Sequence, residues 1–133
     1  MTHRFGMPVR RLASLVAASA ALFAVTAWSA PFHLHLVKSV PAANATVGTA
    51  PDSIRLWFSQ APELKLTSVK VTGPRTTAVA IAPLAARDSA LVVAAVKSKM
   101  AAGAYTVAWR TMSKDGHVVR GTFAFTIAAS NGP

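Results

Sequence analysis

Three histidines and one aspartate carry most of the chemistry this sequence offers. His33 and His35 stand two residues apart in Pro31-Phe32-His33-Leu34-His35-Leu36, and Asp115 and His117 stand two apart around Gly116. On a strand, alternate side chains leave the same face, so the spacing predicts His33 and His35 on one face and Leu34 and Leu36 turned into a core. Gly116 permits a tight loop that turns Asp115 and His117 toward one point. If the first strand lies beside that loop, three imidazoles and a carboxylate converge. Sulfur-free nitrogen and oxygen donors suit copper(II) in a tetragonal arrangement, and zinc accepts the same donors as a tetrahedron. By affinity order copper(II) is the tighter of the two. Each half alone has a plainer explanation: His-x-His as an exposed polar strand face, Asp-Gly as a common hairpin turn.

Other chemistries thin out quickly. The chain has no cysteine, which excludes disulfides, thiolate zinc sites, iron–sulfur clusters and thiol catalysis. Glu63 is the only glutamate, Asp52 precedes a strand, and Asp88 sits in the turn-like Ala86-Arg87-Asp88-Ser89. Paired carboxylates for acid–base work have no candidates. Neither a nucleophile elbow nor a glycine-rich phosphate loop is present.

The remaining histidine, His3, falls in a leader. Arg4, Arg10 and Arg11 precede an apolar run from Leu12 to Trp28, and small residues follow at Ala27, Ser29 and Ala30. That order predicts a secretory signal peptide over residues 1–30, cut near Ala27 or Ala30. Either cut leaves Pro31 and Phe32 ahead of His33, so a free α-amine on His33 needs further trimming. Past the leader, 11 Lys and Arg face 4 acidic residues, scattered rather than in runs. A nucleic-acid-binding tail is therefore not expected. The plainer explanation is an ordinary solvated basic surface, although such a surface could also aid approach to anionic lipids or an acidic partner.

The elements that must position the four residues read as strands. Apolar and polar residues alternate at Leu34–Leu36, Ile54–Phe58, Val69–Val71, Tyr105–Trp109 and Phe123–Ile127, and Ala78–Ala82 and Leu91–Val96 are further β-prone runs. Pro41, Asn44, Pro51-Asp52, Gly73-Pro74, Pro83, Gly103 and Asp115-Gly116 separate them. These seven short strands predict an all-β, seven-stranded Greek-key sandwich over 33–128, with a tail at 129–133. Gly103 and Tyr105 suggest a tyrosine corner. Trp57 and Trp109 are expected in the core, as are Met100 and Met112.

The sequence resembles the CopC family of periplasmic copper-binding proteins. The likeness is carried by His33-Leu34-His35-Leu36-Val37-Lys38-Ser39 with Pro41, by Pro51 and Ile54-Arg55-Leu56-Trp57-Phe58-Ser59, and by Gly103-Ala104-Tyr105-Thr106-Val107-Ala108-Trp109-Arg110. Ser113-Lys114-Asp115-Gly116-His117 and Gly121-Thr122-Phe123-Ala124-Phe125 complete it. The resemblance implies a cupredoxin-like or immunoglobulin-like β-sandwich and a copper(II) site with one ion per chain. It assigns His33 as a ligand through imidazole and α-amine, Asp115 and His117 as the loop ligands, and His35 as a position that is histidine in some members. It implies a monomeric, non-enzymatic periplasmic carrier or buffer that exchanges copper with a CopD-type inner-membrane protein. The methionine-rich copper(I) loop of some members has no counterpart, because Val71-Thr72-Gly73-Pro74-Arg75-Thr76-Thr77 contains no methionine. Two other readings remain open from the residues alone: a copper-dependent oxidative enzyme built on an amino-terminal histidine brace, and a metal-free adhesion sandwich.

Overall fold

Residues that alternate in the sequence pair into two sheets in the computed structural model, which describes residues 33–88 and 90–130. The proposed signal peptide falls outside the described residues. In chain order the strands are β1 (Leu36–Val40), β2 (Thr46–Val47), β3 (Ser53–Phe58), β4 (Ser68–Thr72), β5 (Ala78–Val79), β6 (Ala85–Asp88), β7 (Leu91–Ala95), β8 (Gly103–Met112) and β9 (Val118–Ile127). One sheet runs β1-β3-β7-β6 and the other β2-β9-β8-β4-β5. All pairings are antiparallel except β2 with β9. The expected all-β sandwich is what forms, with nine strands among the described residues rather than seven.

The two extra strands, β2 and β6, lie at sheet edges and carry no apolar alternation. Ala85–Asp88 was expected to turn at Ala86-Arg87-Asp88. It pairs with β7 instead, although every residue in it is exposed. Backbone pairing alone holds such an edge, and side-chain pattern cannot announce it. Both edge strands of this sheet are bulged. Two residues of β1 advance for one of β3 between Leu36 and Lys38, and two of β6 for one of β7 between Ala86 and Asp88. The bulge in β1 resets the pleat, so that Leu34 and Leu36 turn inward before it and Ser39 after it.

Inward positions of both sheets meet in one core of Leu34, Ile54, Leu56, Phe58, Val71, Val92, Ala94, Tyr105, Val107, Trp109, Phe125 and Ile127. Phe58 and Trp109 join the sheets edge to face, with ring centroids 5.2 Å apart. Tyr105 stacks on its cross-strand partner Phe125 at 5.4 Å. The tyrosine corner is present: the buried Tyr105 hydroxyl donates to the Ala101 carbonyl at 2.7 Å. The ring lies against Gly73, where a Cβ would come within 2.6 Å of Tyr105 Cε1. Met100 packs against the core, whereas Met112, expected there too, falls on the outward parity of β8 and is only half-buried.

Trp57 departs from expectation. Ile54, Leu56 and Phe58 take the inner face of β3, so the period of two puts Trp57 outside, half-buried. Its ring is covered by Lys38 Nζ, 4.8 Å from the centroid.

Candidate metal centre

The loop that carries Asp115 and His117 closes the longest hairpin of the fold. β8 and β9 pair over ten positions, from Gly103↔Ile127 to Met112↔Val118, and Ser113–His117 spans the gap between them. The Ser113 N–H donates to the His117 carbonyl at 2.9 Å, and the Gly116 N–H to the Ser113 carbonyl at 2.9 Å. Gly116 sits at φ 89°, in the left-handed region that favours glycine. The loop therefore has one backbone shape, and Asp115 and His117 project from it.

Ser113 is the inner peg of this loop. It is buried, and its hydroxyl donates to Asp115 Oδ1 while accepting the His117 N–H at 3.2 Å. The other carboxylate oxygen, Oδ2, lies 2.9 Å from His117 Nδ1. The hydrogen bond from Ser113, then that from His117, holds the Asp115 carboxyl at about 2, below its ordinary 3.8. The pair itself stands in solvent, with the His117 side chain 71% and that of Asp115 64% exposed. An ionised carboxylate on Nδ1 fixes the ring and its tautomer and leaves Nε2 as the free donor.

His33 and His35 precede β1 rather than lying within it. β3 ends at Phe58, opposite Leu36, so no strand remains for them to pair with. Ser59 continues the pairing in another way. Its N–H donates to the His35 carbonyl at 2.9 Å, and its hydroxyl accepts the His35 N–H at 3.0 Å and reaches the His33 carbonyl at 3.3 Å. Leu34, 2% exposed, anchors the segment in the core while both histidines stay outside.

The two halves meet at this end of the sandwich. The His33 and His117 rings lie edge to face with centroids 6.4 Å apart. His117 thus has the His33 ring beside it and the Asp115 carboxylate on its Nδ1. The His35 ring turns back on its own segment, with Nδ1 2.9 Å from the His33 carbonyl. Among the described residues, no three His, Asp or Glu side chains are already grouped as a cage for an ion. Nδ1 of His117 is engaged by Asp115 and Nδ1 of His35 by backbone, and both rings are exposed. The donors present, imidazole and carboxylate without sulfur, fit copper(II) chemistry.

Sequence reasoning missed Ser59 and the role of Ser113. Ser113 had a local signal, a hydroxyl two residues before an Asp-Gly turn, which is where side chains bond back to turn backbone. Ser59 had none, since its partners are 24 and 26 residues away.

Residues 36–128 match the family model described as the CopC domain. Protein YobA of Escherichia coli is 34% identical over 97 residues, covering 71% of this chain and 78% of the relative. Copper resistance protein C of Escherichia coli is 33% identical over 111 residues, covering 76% and 86%. Among solved structures, CopC from Methylosinus trichosporium superposes with a TM-score of 0.67 at 25% identity, covering 76% of this chain and 99% of that one. PcoC, a methionine-rich copper resistance protein from Escherichia coli, superposes with a TM-score of 0.64 at 34% identity, covering 71% and 98%. The hairpin and its loop thus fall within the matched span, and the chain belongs to the CopC family.

Proposed function

We propose that this chain is an exported, periplasmic copper(II)-binding protein. It acts as a monomeric carrier or buffer in copper homeostasis or resistance, by binding and not by turnover. One ion is taken at the end where His33 meets His117, and that apposition of rings 6.4 Å apart is the observation that carries the reading. His117 offers Nε2 because Asp115 occupies Nδ1. The carboxylate retains lone pairs with which to join the ion. His33 supplies the facing imidazole, and its α-amine too if processing makes it the first residue. His35 is the further donor, released by a turn of its exposed ring from the His33 carbonyl. Relatives named copper resistance protein C support copper as the cargo. Exchange with a CopD-type inner-membrane protein is part of this proposal, and the likeness to the CopC family supports it.

Titration of the exported protein with copper(II) is expected to show one tight equivalent. His117→Ala should weaken it on the order of 100-fold, at least as much as losing a residue that merely supports a ligand. The melting temperature of the metal-free protein should stay unchanged, because the ring is exposed. Undiminished affinity in that variant would sink the assignment. Intact mass of the exported protein decides whether His33 leads the chain. Absence of product with reductant, oxygen and candidate substrates separates a carrier from an oxidative enzyme.

A further inference from the structure

The outer face of the five-stranded sheet carries an arrangement that folding does not explain. Arg110 on β8 lies directly opposite Arg120 on β9, and Ser68 on β4 lies directly opposite Arg110. The next outward row is Lys70, Ala108 and Thr122. These six residues border an open recess of about 450 Å³. All three cations are exposed. None of the four acidic residues of the sequence borders the recess, and among the described residues no ion pair engages these cations. Like charges directly opposite on neighbouring strands oppose folding. A guanidinium pair kept there, with an ammonium and two hydroxyls around Ala108, Trp109 and Gly121, has the chemistry of a phosphate-recognising surface.

Exposure decides between the sources of that phosphate. Cations in solvent are screened, and a single free phosphate gains little from them. A membrane presents many phosphates at once and gains about fivefold in binding for each basic residue near it. The rim of the patch also suits a membrane. Val118, two residues before Arg120 on the same face, is 40% exposed and pairs with half-buried Met112. Aliphatic side chains beside cations can enter the headgroup region while the cations hold phosphates.

We propose that this sheet face docks on an anionic phospholipid surface, with Lys70, Arg110 and Arg120 on headgroup phosphates and Val118 at the acyl boundary. The proposal does not depend on the copper reading. The Ser113–His117 loop leaves the same strand end, so docking would hold that loop close to the membrane plane.

The test is co-sedimentation of the exported protein with phosphatidylcholine vesicles that contain or lack phosphatidylglycerol. Binding is expected only with phosphatidylglycerol, and it should fall steeply with salt. Arg110→Gln combined with Arg120→Gln should weaken it roughly 30-fold, and Lys70→Gln alone about fivefold. Arg75→Gln combined with Lys99→Gln removes the same charge far along β8 and should leave binding near that of the parent. The melting temperature of the Arg110/Arg120 double variant should not fall, which shows that its loss is not unfolding. Equal losses in the two double variants would overturn the proposal in favour of net charge alone. Displacement by inorganic phosphate at matched ionic strength would overturn it in favour of a free-anion site. Retention on poly-glutamate without vesicle binding would overturn it in favour of an acidic protein partner.

Discussion

The two ends of β8 are built with the same device and put to opposite uses. At the Gly103 end the Tyr105 hydroxyl ties to the Ala101 carbonyl, and the ring is packed between Phe125 and Gly73. At the Met112 end the Ser113 hydroxyl ties down the loop, and everything it organises points outward. Both residues are buried. One closes the sandwich, and the other sets the posture of an exposed imidazole and carboxylate. Burial of an anchoring group therefore says little about whether an end is structural. What matters is whether the groups it holds are themselves buried.

This contrast can be broken most forcefully at the structural end. Tyr105→Ala removes a buried ring from the core and should destabilise the fold by roughly 3–5 kcal/mol, as other aromatic truncations do. Chemical denaturation measures that loss, and copper affinity of the still-folded protein should be unaltered. A large loss of affinity in this variant would mean the two ends are coupled. At the other end Ser113→Ala removes a buried hydrogen-bonding hydroxyl, so it should lower the denaturation midpoint far less than Tyr105→Ala does while weakening copper(II) binding about tenfold, the scale seen when a group that orients a ligand is removed. Competition titration against a chelator of known affinity reads it.

The smallest effect sharpens the same point. Asp115 titrates at about 2 because Ser113 and His117 donate to its charged form. Its folded value is lowered, so its contribution to loop stability is fully present above 3.8 and fades as pH falls toward about 2. In Ser113→Ala the Asp115 carboxyl carbon, followed by NMR, should titrate closer to 3.8. Release of copper at milder acidity then belongs to proton uptake by imidazole ligands in general and not to this carboxylate.

Much of the sandwich was legible because its core strands alternate. Ile54-Leu56-Phe58 and Tyr105-Val107-Trp109 each name their inner face directly. Trp57 was misplaced because size was given more weight than parity. A large ring outside the core is tolerated where a lysine ammonium lies over it, as Lys38 Nζ does here. β6 was illegible because an exposed edge strand is specified by its neighbour's backbone. At the site, spacing paired His33 with His35 and Asp115 with His117, and the meeting of His33 with His117 depended on how the sandwich closes. The posture of His35 was not readable, because its ring bonds to a carbonyl whose place depends on Ser59, far along the chain.

The bulges in β1 and β6 bear on how the molecule behaves in company. They distort both rims of the four-stranded sheet, at Val37 and at Arg87. A straight rim would offer another chain a continuous row of amides to copy, the first step toward fibre growth. A kinked rim with a charged residue at one kink interrupts that row on each side. Copies of the chain at high concentration are thus hindered from zipping together along either rim of this sheet.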